Sequence, residues 1–156
     1  MIDHTLAVLF PVHVLSALVW VGGMFFAHMA LRPAVATVLQ PPERLKLLAM
    51  VLARFFVWVK LSIVLLFLTG VWILYIYGSF AKVGWPIHTM ILIAIIMTII
   101  FGIIYAGPFK AMRMAVSMQQ WPAAGAAMGT VRKLIGINLI LGLITVVIGV
   151  GARFWI

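Results

Sequence analysis

The chain has 156 residues, of which 67% are hydrophobic, and a formal net charge of +9. Such apolar content excludes an ordinary soluble globular domain. Its two acidic residues, Asp3 and Glu43, exclude hydrolytic chemistry and proton pumping through buried carboxylates. The absence of cysteine excludes disulfides, iron–sulfur clusters and thiolate metal sites within the chain.

Four apolar stretches are long enough to cross the hydrocarbon core of a bilayer as helices. The predicted spans cover roughly residues 5–31, 55–80, 86–109 and 134–155. The first stretch lacks a basic leader and is too long for a cleaved signal peptide, so we expect it to be retained. The run 41–43, Pro-Pro-Glu, predicts a helix start that continues into the second span. We expect a longer loop at 110–133, broken at 122–125.

The predicted fold is therefore all-α: one integral membrane domain, a four-helix bundle in the lipid bilayer. Its basic residues lie mainly beside the first and third connections: Arg32, Arg44, Lys46, Arg54, Lys110, Arg113, Arg132 and Lys133. Lys82 lies in the second connection, and Arg153 lies near the C-terminus. Because basic loops stay on the cytoplasmic side, we expect both termini outside, in a bacterial-type inner membrane. This placement also explains the charge without nucleic acid as a partner.

Small and polar residues mark the predicted contact face of each span, since they allow close helix packing in lipid. In the first span they are His13, Ser16, Ala17, Trp20, Gly23, Met24 and Ala27. In the fourth span they are Asn138, Gly142, Thr145, Gly149 and Ala152. His88, Leu92, Ile95 and Gly102 share a face of the third span, and Lys60, Val64, Phe67 and Val71 share one of the second. We expect Lys60 to snorkel towards the inner surface.

Four histidines are the candidate metal ligands, because a histidine within a span indicates a functional site and neutral imidazole binds haem iron, copper or zinc. His4, His13 and His88 are predicted in the outer half, and His28 near the inner end. The first hypothesis is haem b, with His13 and His88 as axial ligands from two helices. Ser16 and Gly23 would leave room for the macrocycle, Trp20 would pack on it, and Arg153 would pair with a propionate.

The alternative is a copper-binding or copper-transporting membrane protein. His4, His13, His88 and Met90 would then form a path from outside, because thioethers and imidazoles suit copper. A purely structural subunit, with histidines in packing roles, is the third alternative. A second haem at His28 would need Met29, Lys60 or the His28 of another copy in a homo-oligomer.

The run 13–26, His-Val-Leu-Ser-Ala-Leu-Val-Trp-Val-Gly-Gly-Met-Phe-Phe, resembles the first span of CopD-like membrane proteins. Arg32-Pro33, Arg54-Phe55 leading to Leu68-Thr69-Gly70, and 138–142 (Asn-Leu-Ile-Leu-Gly) fit the same family, so the resemblance covers nearly the whole chain. It implies a four-helix membrane fold linked to copper uptake and resistance. A related HemJ-like branch binds haem and oxidises protoporphyrinogen. By position, the resemblance implies His13 as first metal or haem ligand, with His88 second.

Our leading prediction from the sequence is a haem b membrane protein acting in electron transfer, redox chemistry or haem handling. A membrane oxidoreductase with a redox partner or quinone is one form of it. Copper binding is the alternative.

Overall fold

Four long helices make up the computed structural model, which describes residues 4–155 except for the Arg153 side chain. They are α1 (His4–Val38), α2 (Pro41–Ile76), α3 (Trp85–Ser117) and α4 (Trp121–Trp155). All four are long and apolar enough to cross a membrane, and the described residues contain no strand. This confirms the predicted all-α, four-helix membrane fold. We call the end of the bundle where α1 begins and α4 ends the terminal end. The opposite end is the basic end, because eight of the eleven basic residues flank the connections there.

Helix α1 contains two wide turns, at Leu18–Gly22 and Ala27–Leu31, in which the backbone bonds follow π-helical spacing. The second turn lies just before Pro33. A proline ring clashes with the carbonyl four residues earlier, here that of Met29, and a π-turn at that point makes room for it. Such turns are rare and occur frequently at functional sites, and this one holds His28.

Helix α2 begins as the sequence predicts. Gln40 is extended, Pro41 and Pro42 occupy the first turn, where a missing N–H costs nothing, and Glu43 follows them. The helix runs without a break to Ile76. Gly78 then takes a left-handed conformation with φ +89, which a residue with a side chain adopts poorly, and the chain turns towards α3.

The predicted loop at 110–133 is wrong, because most of it is helical. Helix α3 bends at Gly107 and continues as Pro108–Ser117, and α4 begins at Trp121. Pro108 and Pro122 stand at the starts of these helical segments, where proline is favoured, whereas the sequence reading took Pro122 for a breaker. The segment Pro108–Ser117 buries Phe109, Met112 and Ala115 against the bundle.

Helix α4 contacts each of the other three, while α1 packs mainly on α2 and α3 mainly on α4. Trp20, Met24, Phe56 and Met97 are among the buried residues of the main core. Asn138 is 1% exposed and donates its Nδ2–H to the Met97 carbonyl oxygen, 3.2 Å away, which ties α4 to α3.

The predicted contact faces of α1 and α4 are confirmed at Ser16, Trp20, Met24, Asn138 and Gly142, which are buried, whereas Gly149 of the predicted α4 face is exposed. The predicted faces of the other two helices are wrong. On α3 the exposed residues include His88, Leu92, Ile95 and Gly102, and on α2 they include Lys60, Val64, Phe67 and Val71. The lipid-facing side of a membrane helix is as apolar as its packed side, so spacing alone does not separate them.

Candidate functional site

His13 lies on α1 and is directed at α2. Its Nδ1 is 2.8 Å from the hydroxyl oxygen of Thr69. That hydroxyl is 2.6 Å from the carbonyl oxygen of Leu65, one helical turn earlier on α2. Thr69 is 5% exposed, so this chain of hydrogen bonds is shielded from competing water.

The Thr69 hydroxyl fixes the tautomer of His13. A hydroxyl has one hydrogen, and the short contact to the Leu65 carbonyl, which can only accept, takes it. The Thr69 oxygen is then left to accept from His13, which favours the tautomer with the proton on Nδ1 and the lone pair on Nε2. Metal-binding histidines are held in the same way, with one ring N–H donated to an oxygen and the other nitrogen on the metal.

Gly70 makes room for the ring of His13. A Cβ built on Gly70 would lie 3.4 Å from Cε1 of His13, so the imidazole rests directly on the α2 backbone. The run Leu68-Thr69-Gly70 therefore has a physical role, because Thr69 orients the imidazole and Gly70 admits it. The sequence reading missed this partnership; the signal available was a threonine–glycine pair within an apolar span.

The predicted neighbours of His13 on α1 have other partners. Ser16 is buried and donates to the Val12 carbonyl oxygen at 2.7 Å, and Trp20 is 3% exposed in the main core. The open side of Gly23 is filled by the ring of Phe55, with which a Cβ on Gly23 would collide. The space expected there for a macrocycle is therefore occupied by an α2 side chain. The Arg153 side chain lies outside the described part of the chain.

His88, the second predicted axial ligand, has contacts with Gly84 and Phe80. It is exposed, its Nδ1 donates to the carbonyl oxygen of Gly84 at 3.1 Å, and its ring centroid is 6.2 Å from that of Phe80. The hydrogen bond and ring contact described for His88 therefore do not involve His13. His4 is also exposed, at the start of α1. Both side chains lie at the terminal end of the bundle.

His28, near the basic end of α1, also packs against a glycine of a neighbouring helix. We call His13 with Thr69 and Gly70 the His13 seat, and His28 with Gly136 the His28 seat. It is half-buried within the π-turn, and a Cβ built on Gly136 of α4 would lie 3.2 Å from its Cε1. The cleft beside the imidazole is lined by Arg32 and Arg132 together with apolar side chains of α1, α2 and α4. Gly136, like Gly70, has a role that the sequence reading missed.

Three methionines lie in or against the main core of the bundle. Met24 and Met97 are each 3% exposed in the main core, and Met90 packs against it. The methyl carbons of Met90 and Met97 approach the glycine face of α4, 3.0 and 3.2 Å from Cβ positions built on Gly149 and Gly142. No cluster of three or more histidine or acidic side chains suited to a metal occurs within the described residues.

No curated protein and no solved structure matches the chain. The family model of Copper resistance protein D, CopD, matches residues 49–152. These residues include the α2 partners of His13, the methionines of α3 and most of α4. Because the match covers more than half of the sequence and agrees with the resemblance of the first span, the chain belongs to the CopD family.

Proposed function

We propose that this CopD-family membrane protein binds copper within the bilayer and that Nε2 of His13 is its first ligand. The observation that carries the proposal is the hydrogen-bond chain from His13 through Thr69 to the Leu65 carbonyl. It favours the proton on Nδ1 and leaves the lone pair on Nε2, in a ring that Thr69 holds in place. Metal-binding histidines are oriented in this way, and a histidine inside a membrane span is a functional-site candidate, so the geometry supports a metal ligand.

Copper is the metal that the soft donors of this interior suit best. Met90, Met97 and Met24, which we call the thioether row, lie half-buried or buried in the main core and supply soft sulfur atoms. Thioethers favour Cu(I) and imidazoles also bind copper, whereas calcium and magnesium sites rely on carboxylates, and the one acid among the described residues, Glu43, is exposed. The family description, Copper resistance protein D, points to the same metal.

The exposed histidines extend this proposal to the terminal end. His4 and His88 are accessible there, and Met90 follows His88 by half a helical turn. We infer that His4, His88 and Met90 capture copper at the membrane surface and pass it to the interior, as the sequence alternative expects. The positive-inside rule would place this surface on the outer face.

Haem b is the second candidate, because a free Nε2 suits haem iron as well as copper. Fitted to this interior, a macrocycle beside His13 would have to displace Phe55 from Gly23, and His88 is on the outward face of α3. The residues near His13 therefore fit a copper ion better than a porphyrin. Electron transfer, a quinone partner or oxidoreductase activity depend on this second candidate.

Cu(I) loading of the purified protein tests both candidates, with metal analysis after desalting and an absorption spectrum of each sample. We expect copper to bind to the wild type and to be lost in His13→Ala. His28→Ala is the matched control, since it removes the same side chain from the same helix and from a similar glycine seat, and it should keep copper. Met97→Leu should weaken copper binding because it removes a thioether of the core. Met114→Leu, the same substitution at an exposed methionine, should leave copper binding unchanged.

Three outcomes decide against the proposal. Equal copper in His13→Ala and His28→Ala would remove His13 as the ligand. A Soret band that His13→Ala abolishes, without bound copper, would establish the haem candidate instead. A colourless protein that takes up neither copper nor added haem would overturn both.

A further inference from the structure

The basic end of the bundle holds a cleft between α1, α2 and α4 whose polar lining is cationic. Arg32 of α1, Arg44 of α2 and Arg132 of α4 line it, together with Trp121, Pro41 and apolar or glycine residues. These arginines come from three helices that are distant in sequence, so the fold itself gathers them. Positive charge at a membrane surface needs no concave site, and their convergence on one cleft calls for a separate explanation.

The arginines have no acidic partner in the described part of the chain. Between residues 4 and 155 the single acid is Glu43, which is exposed and does not line the cleft. The Nε of Arg32 is buried and has no hydrogen-bond partner. A buried guanidinium N–H without an acceptor is costly, so its presence indicates an oxyanion supplied from outside the chain.

The cleft continues into an apolar groove. Arg32, Leu48, Met128 and Arg132 line both, and the groove adds Ala27, His28, Leu31, Val51, Leu52 and Ile135. The cleft has a volume of about 310 Å³, enough for an anionic headgroup, whereas the groove beyond it is shallow, at about 20 Å³, and adds an apolar border. Trp121 indicates that the cleft lies at the level of the lipid headgroups, because indole side chains of membrane proteins prefer that level. Its ring lies 5.4 Å from Nζ of Lys46, which adds another positive charge beside the cleft.

We propose that this cleft binds the headgroup of an anionic phospholipid, with the phosphate on Arg32, Arg44 and Arg132 and the acyl chains leaving past the apolar border of the cleft into the bilayer. Arginine holds phosphate oxygens through two N–H groups at once, and three arginines together favour a net anionic lipid over a zwitterionic one. This site is independent of copper binding at His13, which lies near the other end of α1.

The test uses purified protein in detergent micelles, with phosphatidylglycerol as the probe and phosphatidylcholine as its zwitterionic control. Native mass spectrometry counts bound lipid, and thermal unfolding measures stabilisation. We expect phosphatidylglycerol to bind and stabilise the wild type, and Arg44→Gln and Arg132→Gln each to weaken binding by about tenfold or more. The matched control is Arg54→Gln, an exposed arginine on α2 outside the cleft, which should bind as the wild type does.

Two further arms separate the parts of the proposal. Glycerol 3-phosphate and inorganic phosphate carry the same oxyanion without chains and should bind at least about tenfold more weakly, because they lack the apolar contacts that the acyl chains make at the border of the cleft. Arg32→Lys keeps the charge but removes Nε, so it should weaken binding less than Arg44→Gln and guards against a loss caused by misfolding. Equal binding of free phosphate would overturn the lipid assignment. An equal loss in Arg54→Gln, or equal binding of both lipids, would reduce the effect to general surface charge and overturn the site.

Discussion

Two histidines of α1, His13 and His28, are packed in similar ways but have different neighbours. His13 and His28 both rest on a glycine of a neighbouring helix, Gly70 and Gly136. At His13 a threonine hydroxyl orients the ring, and none of its described contacts is a charged side chain. At His28 the neighbours are Arg32 and Arg132. An imidazole alone therefore says little about function; its hydrogen-bond partner and the charges around it decide which ligand it suits.

Electrostatics separates the two seats further. Two arginines beside His28 repel a metal cation, and in a medium of low dielectric this repulsion is strong. The same charges attract an anion. His13 has no charged side chain among its described contacts, so a monovalent copper ion meets no such penalty there. If both proposals hold, the proposed copper ligand His13 and the proposed anion cleft around Arg32 lie towards opposite ends of α1.

The largest effect we predict concerns which side of the membrane each seat faces. The chain has no cysteine, so single cysteines at the exposed positions Ala81 and Gln120 report the terminal end and the basic end separately. Because basic connections stay inside, Ala81→Cys should react with a membrane-impermeant maleimide in intact cells, and Gln120→Cys should react only after permeabilisation. The difference should be nearly all-or-none. The reverse labelling would put the His13 seat in the cytoplasmic half and remove copper capture from outside.

The next prediction tests whether Thr69 makes the His13 seat a ligand site. Thr69→Val removes the acceptor of the Nδ1–H and frees the ring to rotate. Copper affinity should fall about 10- to 100-fold, as it does when an outer-shell partner of a metal ligand is lost. Competition with a coloured Cu(I) chelator measures this change.

Two variants serve as controls for Thr69. Thr69→Ser keeps the hydroxyl and should retain affinity. Thr145→Val removes a hydroxyl that donates to the Leu141 carbonyl oxygen within α4, at 2.9 Å, and should also leave affinity unchanged. Wild-type affinity in Thr69→Val would show that the hydrogen bond has no part in metal binding.

Much of the fold could be predicted from the sequence, because apolar length decides the number of spans and proline with an acid marks the start of α2. The segment 110–133 could not, since the polar loop signals there belong to helices whose packed residues include Phe109 and Met112. At the site, His13 stood out as a histidine within a span, whereas its partners Thr69 and Gly70 depend on how α1 meets α2. The pairing of His13 with His88 stays a prediction, and the exposure of His88 was not foreseen because spacing cannot tell the lipid face of α3 from its packed face.

The third prediction concerns the stability effect of two adjacent glycines, Gly22 and Gly23, which lie on α1 between His13 and His28. At Gly23 an added Cβ would collide with the Phe55 ring, whereas nothing lies within 4 Å of one at Gly22. Gly23→Ala should therefore lower the free energy of unfolding by about 1–3 kcal/mol, as overpacking does. Gly22→Ala should be neutral or add up to about 1 kcal/mol from helix propensity. Unfolding in mixed micelles measures both, and equal effects would show that Phe55 moves aside freely.

The smallest effect compares the glycines beneath the two imidazoles. A methyl group at Gly70 would meet Cε1 of His13 at 3.4 Å, an ordinary contact, so Gly70→Ala should keep copper binding and gain up to about 1 kcal/mol of helix stability. At Gly136 the same methyl group would lie 3.2 Å from Cε1 of His28, closer than carbon atoms normally pack, so the ring must shift slightly. Gly136→Ala should therefore stabilise the protein less than Gly70→Ala, by about a few tenths of a kcal/mol. The gain in helix propensity from Gly to Ala is the same at both positions, so the difference comes from the contact with the imidazole. Unfolding free energies of the two variants in the same micelles measure the difference. A larger gain in stability at Gly136 than at Gly70 would contradict this prediction. It would mean that the His28 ring shifts aside more easily than the His13 ring, and that the hydrogen bond to Thr69, rather than the space above the glycine, sets how rigidly each ring is held.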